Sequence, residues 1–275
     1  MTFLPLRPVP LPAATERAYD AWLEEVEAAL EDPARDRNDI CREILTDLYY
    51  PGLREADATA LPVATRIALL QTDPRNITLE PEYYADTDVV RYARVKPLIW
   101  LWEMFDKSIL GENIHVGVKF RRLLARRIFR SCGRNFKCMH FVKLTFGYNL
   151  DIGDDCVVHR HVLLDDRGGI TLGNNVSIAD FANIYSHTHD IGEQREVRNL
   201  PTYLGDGVRI TYHATVLAGT RLEADAMLGA LGLATRNIGS GEVALGIPAK
   251  ARARKPSKEE RTHYPSTVDP LADEH

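Results

Sequence analysis

The chain has 275 residues, 45% of them hydrophobic and 27% charged, with a net charge of −5 at neutral pH. These proportions are ordinary for a globular protein, and the acidic balance argues against a general nucleic-acid binder. Four cysteines, Cys41, Cys132, Cys138 and Cys156, form no CxxC pair and read as reduced thiols. The opening MTFLPLRPVPLPAATER is too rich in proline for a signal peptide, and the longest apolar stretch, Leu98 to Trp102, is far below the roughly 20 residues of a membrane span. A soluble cytoplasmic chain that binds no nucleic acid is the expectation.

The first hundred residues carry helical spacing. From Thr15 to Asp32, Trp22, Val26 and Leu30 recur every fourth position, and Asp39 to Tyr49 repeats the pattern with Ile40, Ile44, Leu45 and Leu48. A third helix is predicted from Leu61 to Gln71, ended by Asp73-Pro74, and a fourth from Pro97, a residue suited to a first helical turn, to about Ile109. Lys119 to Arg134 interleaves Arg121, Arg122, Arg126, Arg127 and Arg130 with Leu123, Leu124, Ile128 and Phe129. This stretch reads either as an amphipathic segment resting on an anionic membrane or as a helix packing its apolar side and exposing its arginines.

From about Cys132 the period changes to six. Aliphatic residues return at Ile152, Val158 and Leu164, then at Leu172, Ile178 and Ile184, and after a break at Leu204, Ile210, Val216, Leu222 and Leu228. A short strand and a turn occupy six residues, and three such units close a triangular coil of about 18 residues, a parallel β-helix. The aliphatic residue of each unit points inward and stacks on its equivalents. Two breaks interrupt the register. From Leu164 to Leu172 the spacing is eight, absorbed by a bulged corner at residues 165–169, and from Ile184 to Leu204 it is twenty. The second break ejects about fourteen residues, His189 to Pro201, as a loop, and long excursions from a regular scaffold are usually functional. Three regions follow: helical over 1–130, β-helical over 131–250, and a basic, polar tail over 251–275.

Over roughly Thr145 to Arg254 the sequence resembles the hexapeptide-repeat acyltransferases, particularly the maltose, galactoside and nodulation-factor O-acetyltransferases. The resemblance rests on Ile178 to Asp190 (IADFANIYSHTHD), the loop closed by Pro201, and Ala244 to Lys250 (ALGIPAK). It implies a mainly β fold, a left-handed parallel β-helix of hexapeptide repeats behind an α-helical N-terminal region. It also implies a homotrimer with active sites between subunits, acetyl-CoA as co-substrate, a sugar-like small-molecule acceptor and no metal.

Acyl transfer to a hydroxyl needs a base, donors for the developing oxyanion and a site for CoA. The resemblance makes His189 the base; Glu193 or Glu196 in the loop is open as its orienting partner, and the phase of His187 makes it chiefly a residue of the β-helix face. It puts His159 where sugar acetyltransferases carry an acceptor-binding Asn, and Asp166 at the acid of the bulged corner. On the CoA side the family's V-W-I-G-S reads Val208 to Tyr212 (VRITY) here, so Thr211-Tyr212 narrows the approach to the thioester. Tyr212, Ala230, Thr235, Arg236 and Lys250 are the implied CoA contacts, Lys250 joining Arg252, Arg254 and Lys255 in a basic cluster. Two rival readings remain open. One is a γ-carbonic-anhydrase-like zinc enzyme using histidines among His159, His161, His187, His189 and His213; the other is a β-helix scaffold that has lost catalysis.

Overall fold

The computed structural model describes residues 9–257 together with Glu260, Leu271 and Ala272; the first eight residues of the N-terminal segment and most of the expected tail lie outside the described residues. The chain divides into two units, residues 11–128 and the part that begins at Phe129.

Residues 11–128 hold five helices: α1 (Ala13–Glu31), α2 (Arg37–Tyr49), α3 (Val63–Leu70), α4 (Val89–Lys107) and α5 (Ile114–Ile128). Leu23, Val26 and Leu30 bury one stripe of α1, and Ile40, Cys41, Ile44 and Leu45 one stripe of α2. Two expectations are corrected here. Pro97 does not open α4 but sits inside it, because the Asp88 carboxylate accepts the Arg91 amide at 2.9 Å and sets the start a turn and more earlier. The nearby Arg94 carbonyl is taken by the Arg37 guanidinium at 2.8 Å. The arginine-rich stretch is not an exposed basic face either. Arg121 is fully buried, its guanidinium bonded to Asp106 at 2.7 Å and to the Gly111 carbonyl; Arg122 is buried, and Arg127 pairs with Glu27 and Glu31. No helix among the described residues is long and apolar enough to cross a membrane.

From Ser131 onward the chain winds into a parallel β-helix with three faces. The first stacks Ser131–Cys132, Leu150–Ile152, Ile170–Leu172, Thr202–Leu204 and Arg221–Leu222. The second stacks Lys137–Cys138, Val157–Val158, Ser177–Ile178, Arg209–Ile210, Met227–Leu228 and Glu242–Leu245, closed by Lys250–Arg254 running antiparallel. The third stacks Lys143–Leu144, Leu163–Asp165, Asn183–Tyr185, Thr215–Val216 and Leu233–Ala234. Inward residues form columns: Val158, Ile178 and Ile210 stack in register and are fully buried. Such burial stabilises by roughly 1.5–3 kcal/mol per side chain.

The coil lengths follow the spacings read from the sequence: Ile152 pairs with Leu172 after 20 residues, Leu172 with Leu204 after 32, and Leu204 with Leu222 after 18; the first coil, Cys132 to Ile152, also takes 20. The surplus always falls at the corner between the third and first faces. Residues 145–149 and 165–169 bulge there, and in the next coil the same corner is drawn out into a hairpin. The corner between the second and third faces has a different signature. Phe141, His161, Phe181, His213 and Leu231 all have left-handed φ of 55–61°. For bulky residues this backbone is costly; ring stacking offsets it, with His161–Phe181 and Phe181–His213 centroids 4.7 and 4.9 Å apart and their planes nearly parallel.

Candidate active site

The ejected segment is an ordered antiparallel hairpin. His187–His189 pairs with Val197–Asn199, and the Leu200 amide donates to the Ser186 carbonyl at 2.8 Å to close its base. The tip is held by Asp190, whose carboxylate accepts the Gly192 and Glu193 amides at 2.8 and 3.1 Å and the Arg198 guanidinium at 2.5 Å. Those amides, with Arg198 nearby, hold the Asp190 carboxyl below its ordinary range.

Where the hairpin leaves the third face there is an open cleft of about 390 Å³, lined by Tyr185, His187, Thr188, His189, Leu217, Ala218 and Thr235. His189 is exposed at its edge, and its Nδ1 lies 2.6 Å from the Gln194 carbonyl oxygen. A carbonyl only accepts, so Nδ1 carries the proton and Nε2 is left with a lone pair. Neither glutamate expected to orient this ring does so: Glu193 pairs with Arg195 and Glu196 with Arg198. The backbone of the hairpin's own tip serves instead, a partner that side-chain chemistry cannot reveal. His187 also lines the cleft, its ring centroid 5.4 Å from that of His189, and its Nδ1 meets the buried carboxylate of Asp165.

The remaining candidates scatter over two corners. Thr235 lines the cleft and Arg236 follows it, exposed. His159, Tyr212 and Ala230 follow strands of the second face and stand on the other corner, away from His189 along the coil. Burial, reinforced by Arg160 and Arg209 against the opposing Asp180, lowers the pKa of His159. Lys250 begins the exposed antiparallel strand that closes the second face. Asp166, expected to bind the acceptor, is instead fully buried: its carboxylate accepts the amides of Phe146 at 2.7 Å and Asn149 at 3.0 Å and ties two successive bulges together. Burial raises this carboxyl to about 6 against the pull of those amides. The acid that reaches one of the cleft's imidazoles, His187, is its neighbour Asp165. A coil length of 20 signals this, since it sets Asp165 beside Tyr185 in register, two residues from His187.

Among the described residues no three of the His, Cys, Asp and Glu side chains gather as a metal-ligand set. His161 and His213 are stacked against phenylalanines on the second-to-third corner.

No family model matches the chain. Galactoside O-acetyltransferase of Escherichia coli is 26% identical over 137 residues, covering 48% of this chain and 68% of its own. The chain is related to the hexapeptide-repeat acetyltransferases. Solved structures of these acetyltransferases share the fold. A maltose O-acetyltransferase from Clostridium difficile 630 superposes with a TM-score of 0.55 at 22% identity, over 64% of this chain and 92% of its own. A galactoside acetyltransferase in complex with coenzyme A gives 0.56 at 22%, over 65% and 90%.

Proposed function

We propose that the chain is an acetyl-CoA-dependent O-acetyltransferase acting on a hydroxyl of a sugar-like acceptor, with His189 as general base. The observation that carries this reading is the His189 imidazole at the cleft edge, its Nδ1–H committed to the Gln194 carbonyl and its Nε2 left to accept. Nε2 takes the proton of the acceptor hydroxyl as its oxygen attacks the thioester carbonyl. The tetrahedral intermediate then expels the CoA thiolate, and the imidazolium returns the proton to sulfur. Kinship with galactoside O-acetyltransferase supports the chemistry.

Thr235 and Arg236 serve the CoA from the same corner as His189. Tyr212, Ala230 and His159 stand on the other corner, so one chain alone lacks part of the site. A homotrimer, in which that corner of one copy faces the cleft of the next, completes it, with Lys250 near the CoA phosphates. The cytoplasm supplies the acetyl-CoA.

The test is thiol release from acetyl-CoA with sugar, amino-sugar and aminoglycoside acceptors. His189→Ala lowers kcat by about 10²–10⁴ and leaves acetyl-CoA affinity, read by calorimetry, unchanged; a variant with full turnover overturns the assignment.

A further inference from the structure

His187 is the one imidazole in the cleft with a carboxylate behind it. Asp165 is 3% exposed, and its two oxygens are divided: one accepts the Thr145 hydroxyl at 3.0 Å, the other faces His187 Nδ1. The Asp165 carbonyl accepts the Ser186 hydroxyl at 2.5 Å and the Ser186 amide at 3.0 Å, so the backbone on both sides of this contact is fixed as well. Such a carboxylate does for an imidazole what a backbone carbonyl does less strongly. It places the proton on Nδ1 and fixes the plane of the ring. Nε2 is then the ring atom left for the cleft.

The same holds for His189 through Gln194. The cleft therefore presents two imidazoles, their centroids 5.4 Å apart and their planes at 77°, both with Nδ1–H engaged behind and both with Nε2 as a bare acceptor. One base is enough for acyl transfer. A second acceptor nitrogen beside it asks for a second donor on the molecule being acylated. In the rest of the lining Leu217 and Ala218 are apolar, and Tyr185, Thr188 and Thr235 supply hydroxyls, so the imidazoles are its only side chains that accept without donating on the cleft side.

Resting on the acyl-transfer reading of the cleft, we propose that His187, locked by Asp165, is a specificity-determining residue. It accepts a hydrogen bond from a hydroxyl adjacent to the one His189 deprotonates, and so selects acceptors with two neighbouring hydroxyls. An acceptor that lacks the second hydroxyl leaves the His187 Nε2 without a partner once water is displaced.

Two measurements on the full chain test this. In the first, thiol release from acetyl-CoA is followed with cis-1,2-cyclohexanediol and with cyclohexanol. The wild type prefers the diol by about ten-fold in kcat/KM. In His187→Ala the preference falls towards the two-to-one ratio of hydroxyls, the diol losing several-fold more kcat/KM than cyclohexanol. An unchanged preference in His187→Ala overturns the proposal, as does an equal loss with both alcohols. The second measurement is a long-range proton–nitrogen correlation spectrum of the ¹⁵N-labelled chain. His187 carries its proton on Nδ1, and its Nε2 resonance moves on titration with the diol but not with cyclohexanol; a proton on Nε2, or no response to the diol, overturns the proposal whatever the turnover. If the wild type releases no thiol with either alcohol, the spectrum alone decides the role of His187; the acyl-transfer reading itself fails only if the sugar, amino-sugar and aminoglycoside panel is silent as well.

Discussion

Gly168 lies where the bulged corner of one coil passes beneath the base of the hairpin. A Cβ built on it would sit 2.6 Å from the Leu200 amide nitrogen and closer still to the Ser186 carbonyl oxygen, the two atoms whose hydrogen bond closes the hairpin. Carbon atoms in ordinary contact stand about 3.5–4.0 Å apart, so Gly168→Ala has to push that base outward by about 1 Å. Neither side yields easily, because Gly168's own amide donates to the Ser186 hydroxyl at 2.9 Å and Thr202 holds the returning strand through the Tyr185 carbonyl at 2.6 Å. Overpacking of this kind costs roughly 1–3 kcal/mol. Misplacing a catalytic group by about 1 Å costs on the order of 10²-fold in rate, and the displaced segment carries both cleft histidines. Gly168→Ala therefore lowers kcat for thiol release from acetyl-CoA by about 100-fold and the thermal midpoint by roughly 2–4 °C for each kcal/mol lost. Gly192→Ala, at the hairpin tip where the nearest atom would be 3.4 Å away, is the control and leaves both readouts unchanged. Wild-type turnover and melting in Gly168→Ala would refute the claim that the corner positions the hairpin.

Two further predictions concern charge. Because the folded chain holds Asp166 near 6 while an exposed aspartate titrates near its ordinary 3.8, the folded state binds a proton there that the unfolded state releases. The stability tied to this group is fully present below about 4 and is lost as pH rises through about 6. The whole gap corresponds to about 3 kcal/mol, of which about 1.4 kcal/mol separates pH 5 from pH 7.5. Urea unfolding of Asp166→Asn at the two pH values should lack that increment relative to the wild type, and an identical pH dependence in both chains would disprove it. In the helical unit, Arg121→Ala leaves the Asp106 carboxylate buried without its cation and should cost about 3–5 kcal/mol in the same assay, most of it recovered by pairing Arg121→Met with Asp106→Leu. A loss below about 1 kcal/mol in the single variant would show the pair to be dispensable.

Much of the β-helix was legible because one inward residue per strand must be aliphatic, and Ile152, Val158, Ile178 and Ile210 keep that phase through every coil. The coil lengths were legible too, as breaks in the six-residue spacing, except in the first coil, where Phe146 and Tyr148, packed face to face with centroids 5.1 Å apart, fill the corner with aromatic side chains. The partner of His187 was concealed for another reason. Asp165 and Asp166 are adjacent acids, and only the fold decides which one turns inward to collect amides and which one faces the hairpin. In the helices, Asp88 outweighed Pro97 as a start signal because a capping carboxylate satisfies a free amide, whereas proline merely lacks one. The arginines of α5 misled for a similar reason: a charge reads as exposed until its counter-ion, here Asp106 from the preceding helix, is in place.

The strand Lys250–Arg254 bears on a hazard peculiar to stacked folds. Each coil offers its backbone edge to the next, so an unfinished stack is a template on which another chain can continue to grow. Here the last parallel strand, Glu242–Leu245, is covered by a strand running the opposite way, with Lys250, Arg252 and Arg254 along an exposed rim. A second copy arriving at that rim meets reversed polarity and like charge. On this face the same short segment thus also works against end-to-end growth of the stack.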